Sequence, residues 1–78
     1  MLDPTLIARM TRFHRKRAGL SRIQLAQLAG IGKTAVFDIE NGKSTVRLAT
    51  LRALLNSLNI SVRWESPLMP EFQEADDA

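Results

Sequence analysis

An all-α fold of four helices, with one β-strand following the last, is what this 78-residue sequence predicts. Three observations predict it. In SRIQLAQLAGIGKTAVFDIENG (residues 21–42), small Ala26 is followed four residues later by Gly30, then by Val36 and Ile39 three residues apart. That spacing describes two short helices closing on each other at a tight corner, a helix-turn-helix. Leu48, Leu51, Leu55 and Leu58 make a leucine stripe at helical spacing. Immediately after it the period changes from 3.6 to 2, with Ile60, Val62 and Trp64 on one side.

The elements follow in order. Asp3-Pro4 starts the first helix, since Asp caps and Pro is pre-set for the first helical position. Ile7, Met10, His14 and Ala18 share its apolar face, widened by Leu6 and Phe13, while Arg9, Arg12, Arg15 and Lys16 point away. Gly19 ends it. Ser21 caps the second helix, whose inner side carries Leu25, Ala26 and Ala29, and Gly30 turns the chain with a positive φ. The third helix is expected from about Gly32 to Glu40, stopped by Asn41-Gly42, and the fourth from about Arg47 to Leu58. Residues 60–65 are expected as a strand, and Pro67 and Pro70 to prevent its extension. A domain over 1–65 and a disordered acidic tail over 66–78 complete the expected layout.

A lone strand has no partner for its N–H and C=O groups within one chain. The economical partner is its own copy, so Ile60, Val62, Arg63 and Trp64 are expected to pair across the two-fold axis of a homodimer. The same axis sets two copies of the third helix about one turn of DNA apart.

Charge divides the chain. Residues 1–64 hold all eleven Lys and Arg against three acids, a net +8; residues 65–78 hold five acids and no base, a net −5. A small domain carrying +8 attracts nucleic acid. Without Cys, and with one His, the chain assembles neither a metal site nor a nucleophile–base pair, so no cofactor, no metal and no enzymatic activity are expected. No apolar run approaches the roughly 20 residues of a membrane span, and the N-terminal residues lack the pattern of a signal peptide. A cytoplasmic protein is expected.

The DNA-contacting candidates follow from helix geometry. Lys33 and Thr34 lie on the first exposed turn of the third helix, with Ala35 and Phe37 further along; Lys donates to guanine, Thr bonds a base or a phosphate, and Ala or Phe meets a thymine methyl. Phe37 packing on its own subunit is the equal alternative. Ser21 and Arg22, at the start of the second helix, fall beside the sugar-phosphate backbone, as does Lys43 in the following loop. Asp38 repels phosphate unless it accepts from cytosine N4 or pairs with an arginine, and orienting Arg22 or Arg47 is its expected role. His14 is expected as a hydrogen-bonded core residue. Ile23 and Leu28 are either scattered surface hydrophobes or part of a partner surface.

LSRIQLAQLAGIGKTAVFDIENGK resembles the helix-turn-helix of the Xre/phage-repressor superfamily, through Leu20, Ser21, Leu25, Ala26, Gly30, Ile31, Val36, Ile39, Glu40 and Gly42. It departs at Arg22, where that family usually has Gln, and at Gly32, where it usually has a Ser or Thr cap; Phe37 and Asp38 replace residues more often polar or basic. The leucine-rich helix leading into a strand resembles the HipB-like antitoxin branch. The resemblance implies a lambda-repressor-like fold and a sequence-specific repressor of a palindromic double-stranded operator. It further implies a type II antitoxin that autoregulates its operon and binds a HipA-like serine/threonine kinase toxin. A stand-alone Xre-family repressor and an interaction module that has lost DNA binding remain the alternatives.

Overall fold

The computed structural model describes residues 2–77, with side chains through Ala75; Met1 and Ala78, the outer ends of the two expected segments, lie outside it. Five helices follow one another: α1 (Pro4–Arg17), α2 (Arg22–Ala29), α3 (Lys33–Glu40), α4 (Leu48–Ser57) and α5 (Met69–Asp77).

The first two begin where local chemistry directs. The Asp3 carboxylate accepts the Thr5 N–H at 2.9 Å and Pro4 opens α1. At α2 the Ser21 hydroxyl accepts the Gln24 N–H at 3.0 Å, while the Gln24 side chain accepts the Ser21 N–H at 2.8 Å. This reciprocal pair satisfies two of the helix's otherwise unpartnered donors. Gly30, at φ 69°, ends α2 in the left-handed region, and the Ile31 N–H returns to the Ala26 carbonyl at 3.0 Å.

Leu25 and Ala26 of α2, Val36 and Ile39 of α3, and Leu54, Leu55 and Leu58 at the end of α4 form the core, ringed by Ile7, Leu20, Ile31, Val46, Leu51 and Ile60. Leu48 departs from the predicted stripe. It is 75% exposed, because the first turn of α4 extends past the edge of this cluster. The inner face of α1 is also rotated from the predicted one. Ala8, Thr11 and Arg15 are buried, Ile7, Met10 and His14 half-buried, and Leu6, Phe13 and Ala18 exposed. An ion pair draws that face inward, as described below. His14 is hydrogen-bonded as expected, with Nδ1 2.7 Å from the Met10 carbonyl, but it sits at the margin of the core.

Two expectations for the C-terminal part need correction. No strand occurs among the described residues: 60–66 carry no helix or ladder, since a single copy offers no edge to receive their N–H and C=O groups. Ile60 turns onto the core and donates its N–H to the Leu55 carbonyl, whereas Val62 and Trp64 stay exposed. The tail expected to be disordered forms α5. Pro70 falls in its first turn, where a missing N–H costs nothing, and Glu71 suits the positive end of the helix dipole. The Phe72 N–H donates to the Leu68 carbonyl at 2.9 Å.

Truncating Leu54, fully buried at the centre of the core, to Ala is expected to cost about 2–5 kcal/mol. Leu28→Ala, on the exposed side of α2, is expected to stay within about 0.5 kcal/mol of the unmodified chain. Urea unfolding of both variants at one protein concentration measures the contrast.

Candidate nucleic-acid interface

The corner between α2 and α3 is built from Ala26, whose small side chain admits close approach, and from Val36 and Ile39, which anchor α3 from within. Apart from these two and Glu40, the residues of α3 reach the surface to differing degrees. Lys33, Thr34 and Phe37 are exposed, and Ala35 and Asp38 half-buried. Gly32 begins the helix without a side-chain cap, leaving the first N–H groups of α3 beside Lys33 at the solvent face.

The residue that fixes this corner is Glu40, the last of α3, only 1% exposed. Arg15 of α1 grips its carboxylate with two hydrogen bonds, Nε to Oε2 at 2.6 Å and a terminal nitrogen to Oε1 at 3.1 Å. Arg22 of α2 donates from Nε to Oε1 at 3.1 Å. Arg12 of α1 bonds the Glu40 backbone carbonyl at 2.8 Å and lies 3.8 Å from the carboxylate. Arg15 also donates to the Leu20 carbonyl at 2.9 Å, tying the α1–α2 turn to the same knot. Burial opposes ionisation of Glu40, but the hydrogen bonds and positive charges of Arg15 and Arg22 outweigh it, so its pKa falls below the ordinary value of 4.5.

The predicted contact residues sort accordingly. Ser21, Arg22 and Phe37 meet around one shallow depression together with Ile23 and the edge of Arg15. The Arg22 guanidinium lies over the Phe37 ring, 4.8 Å from its centroid, so Phe37 packs on its own subunit. Asp38 pairs with neither Arg22 nor Arg47; it accepts from Lys43 at 3.4 Å, across the loop that follows α3. Arg22 is taken instead by Glu40. Lys33 and Thr34 stand apart on the outer turn of α3. Ile23 and Leu28 are both exposed on α2.

Sequence reasoning missed Arg12, Arg15 and Glu40 as a unit. One signal was available: Glu40 sits four residues after Val36 and next to Ile39, on the inward side of α3, and an acid there demands a cation.

Ile60, Val62, Arg63 and Trp64 line a groove of about 620 Å³ with Leu2, Leu6, Met10 and Leu48. Its lining is apolar save for Arg52, Arg63 and a few small polar groups. Among the described residues no cluster of His, Cys, Asp and Glu is placed to hold a metal, and no helix is long and apolar enough to cross a membrane.

Comparison with known proteins gives a consistent picture. Residues 12–64 match the helix-turn-helix family HTH_3. An uncharacterized HTH-type transcriptional regulator, y4mF of Sinorhizobium fredii (strain NBRC 101917 / NGR234), is 32% identical over 59 residues, covering 76% of this chain and 78% of that protein. Among solved structures, HipB(S29A) in complex with an O2 20mer superposes with a TM-score of 0.74 at 25% identity, over 86% of this chain and 93% of that one. A complex of HipA, HipB, O2 and O3 aligns with the same TM-score and identity, covering 94% of the matched chain.

A carboxylate whose pKa is lowered on folding stabilises the fold above its unfolded value and loses that contribution as the pH falls through its folded value. Stability is therefore expected to decline below about pH 4.5 through Glu40. Glu40→Gln is expected to lose about 3–5 kcal/mol at neutral pH, because Arg15 is left buried with its charge uncompensated. Its acid limb should flatten correspondingly. Denaturant unfolding across a pH series reads both effects.

Proposed function

Since this chain belongs to the helix-turn-helix family of DNA-binding transcriptional regulators and is HipB-like within it, we propose that it acts as a homodimeric, sequence-specific repressor and antitoxin. Each protomer inserts α3 into the major groove of one half of a palindromic operator in the cytoplasm. Lys33 and Thr34 read bases; Ser21, Arg22 and Lys43 hold backbone phosphates and set the register. The partner besides DNA is a HipA-like serine/threonine kinase toxin, supported by the assembly of HipA with HipB among the structural relatives. The dimer forms through residues 60–65, whose exposed Val62 and Trp64 border the apolar groove.

The observation that carries this reading is the division of α3. Val36, Ile39 and Glu40 lock its inner side, while Lys33 and Thr34 stand clear of the protein on its first turn. Phosphate contacts release condensed counterions, a gain that shrinks as salt rises, so affinity should fall with salt.

With about six phosphates neutralised, log affinity is expected to fall against log salt with a slope of about −5, measured by fluorescence anisotropy on a duplex selected from a random pool. Lys33→Ala is expected to cost about 1–3 kcal/mol on that duplex and much less on random DNA. A flat salt response counts against the phosphate contacts and the DNA-binding reading, and equal losses on both duplexes reassign Lys33 to a phosphate. Val62→Asp is expected to convert the dimer to monomer in sedimentation and to abolish tight operator binding. Purification of the native protein with whatever it holds tests the kinase partner; a preparation free of any kinase leaves a stand-alone repressor.

A further inference from the structure

We propose that Phe37 is a positioning residue: with Glu40 it clamps the Arg22 guanidinium so that the open edge of that group meets a DNA backbone phosphate, and it reads no base. This inference rests on the DNA-binding reading above and assigns the work within it.

The geometry divides the five N–H donors of Arg22. Nε is committed to Glu40 Oε1 at 3.1 Å, and one face of the guanidinium lies on the Phe37 ring with Cζ 4.8 Å from its centroid. The terminal nitrogens make no hydrogen bond among the described residues, and the side chain remains 41% exposed at the depression shared with Ser21 and Ile23. Glu40 and Phe37 thus fix the plane of the group while leaving its planar fork uncommitted. That fork suits the two oxygens of a phosphate.

Charge favours the same ligand. Three guanidinium groups surround one carboxylate, leaving the junction of α1, α2 and α3 with a surplus of two positive charges. Arg15 is buried, and Arg12 is turned onto the Glu40 backbone carbonyl. Arg22 is therefore the member of the three whose head opens onto the depression. A long side chain held in one orientation before binding loses less freedom when it binds. Phe37 supplies that restraint through cation–π contact on a half-open surface. With its ring given to Arg22, it is engaged within its own subunit.

The test uses the full chain and two duplexes of equal length, one selected from a random pool and one of random sequence. Arg22→Gln and Phe37→Leu are each expected to weaken binding about three- to tenfold on both duplexes alike, and to make the salt slope shallower by about 0.9, the loss of one phosphate. The double variant should bind no more weakly than Arg22→Gln alone, and Phe37→Trp should restore binding. A loss with Phe37→Leu confined to the selected duplex makes Phe37 a base reader and overturns the inference. So do losses that multiply in the double variant. The Nε–H NMR signal of Arg22 in the free protein separates the two layers: it should be shifted by the ring current and should lose that shift in Phe37→Leu. An unshifted signal refutes the clamp itself, whatever the DNA result. A shifted signal in a protein that binds neither duplex refutes the DNA reading and leaves the clamp as packing alone.

Discussion

A single buried carboxylate sets the arrangement of three helices. Glu40 ends α3 with almost no access to water, and such a charge is tolerated only when paired and hydrogen-bonded. Its partners come from α1 and α2, so the bonds form together only when both helices stand at one angle to α3. Aliphatic packing alone would not define that angle for α1. Its buried positions are Ala8, Thr11 and Arg15, which offer little apolar area, and the Thr11 hydroxyl has no hydrogen-bond partner among the described residues. Removing all the charges together in favour of apolar groups need not harm stability, whereas removing one does. The gain from the network is therefore a defined geometry, with the outer turn of α3 held rigidly away from the body.

This explains which parts of the fold were legible in the sequence. Helix ends were readable because caps are local chemistry: Asp3-Pro4, Ser21 and Gly30 each act within a few residues. The core faces of α2 and α3 were readable because their neighbours are aliphatic and hydropathy registers them. The inner face of α1 was not. Hydropathy places arginine outside, and Arg15 is inside because of a residue twenty-five positions away. The same blindness assigned the role of orienting Arg22 or Arg47 to Asp38, the half-buried acid two residues earlier, while Glu40 holds Arg22. At the candidate site, exposure of Lys33 and Thr34 followed from helical spacing alone. The stacking of Arg22 on Phe37 depends on how two helices meet, which spacing does not specify.

The C-terminal part failed for another reason. A period of two marks residues that favour an extended path, but a strand exists only with a neighbour, and that neighbour is not in this chain. Ile60, the first residue of the segment, finds apolar company in the core and packs; Val62 and Trp64 find none and remain in water. For α5 the acidic composition was read as disorder, although Pro70, placed in a first turn, has no hydrogen bond to forfeit.

The uncovered apolar surface constrains what the protein does. Leu2, Leu6, Leu48, Val62 and Trp64 border one groove, and Trp64 alone leaves 66% of its surface exposed. A chain of 78 residues buries too small a core to leave that much apolar area idle without cost. In the proposed dimer the surface is covered by a second copy, and that pairing stabilises each subunit while fixing the separation of the two α3 helices. Folding and operator recognition then depend on the same contact and share one dependence on concentration. At low concentration a protomer loses both at once, so a partly assembled protein competes poorly for its site. In that proposed dimer such coupling gives operator binding a concentration threshold, and it follows from the exposed Val62 and Trp64 beside an unfilled groove.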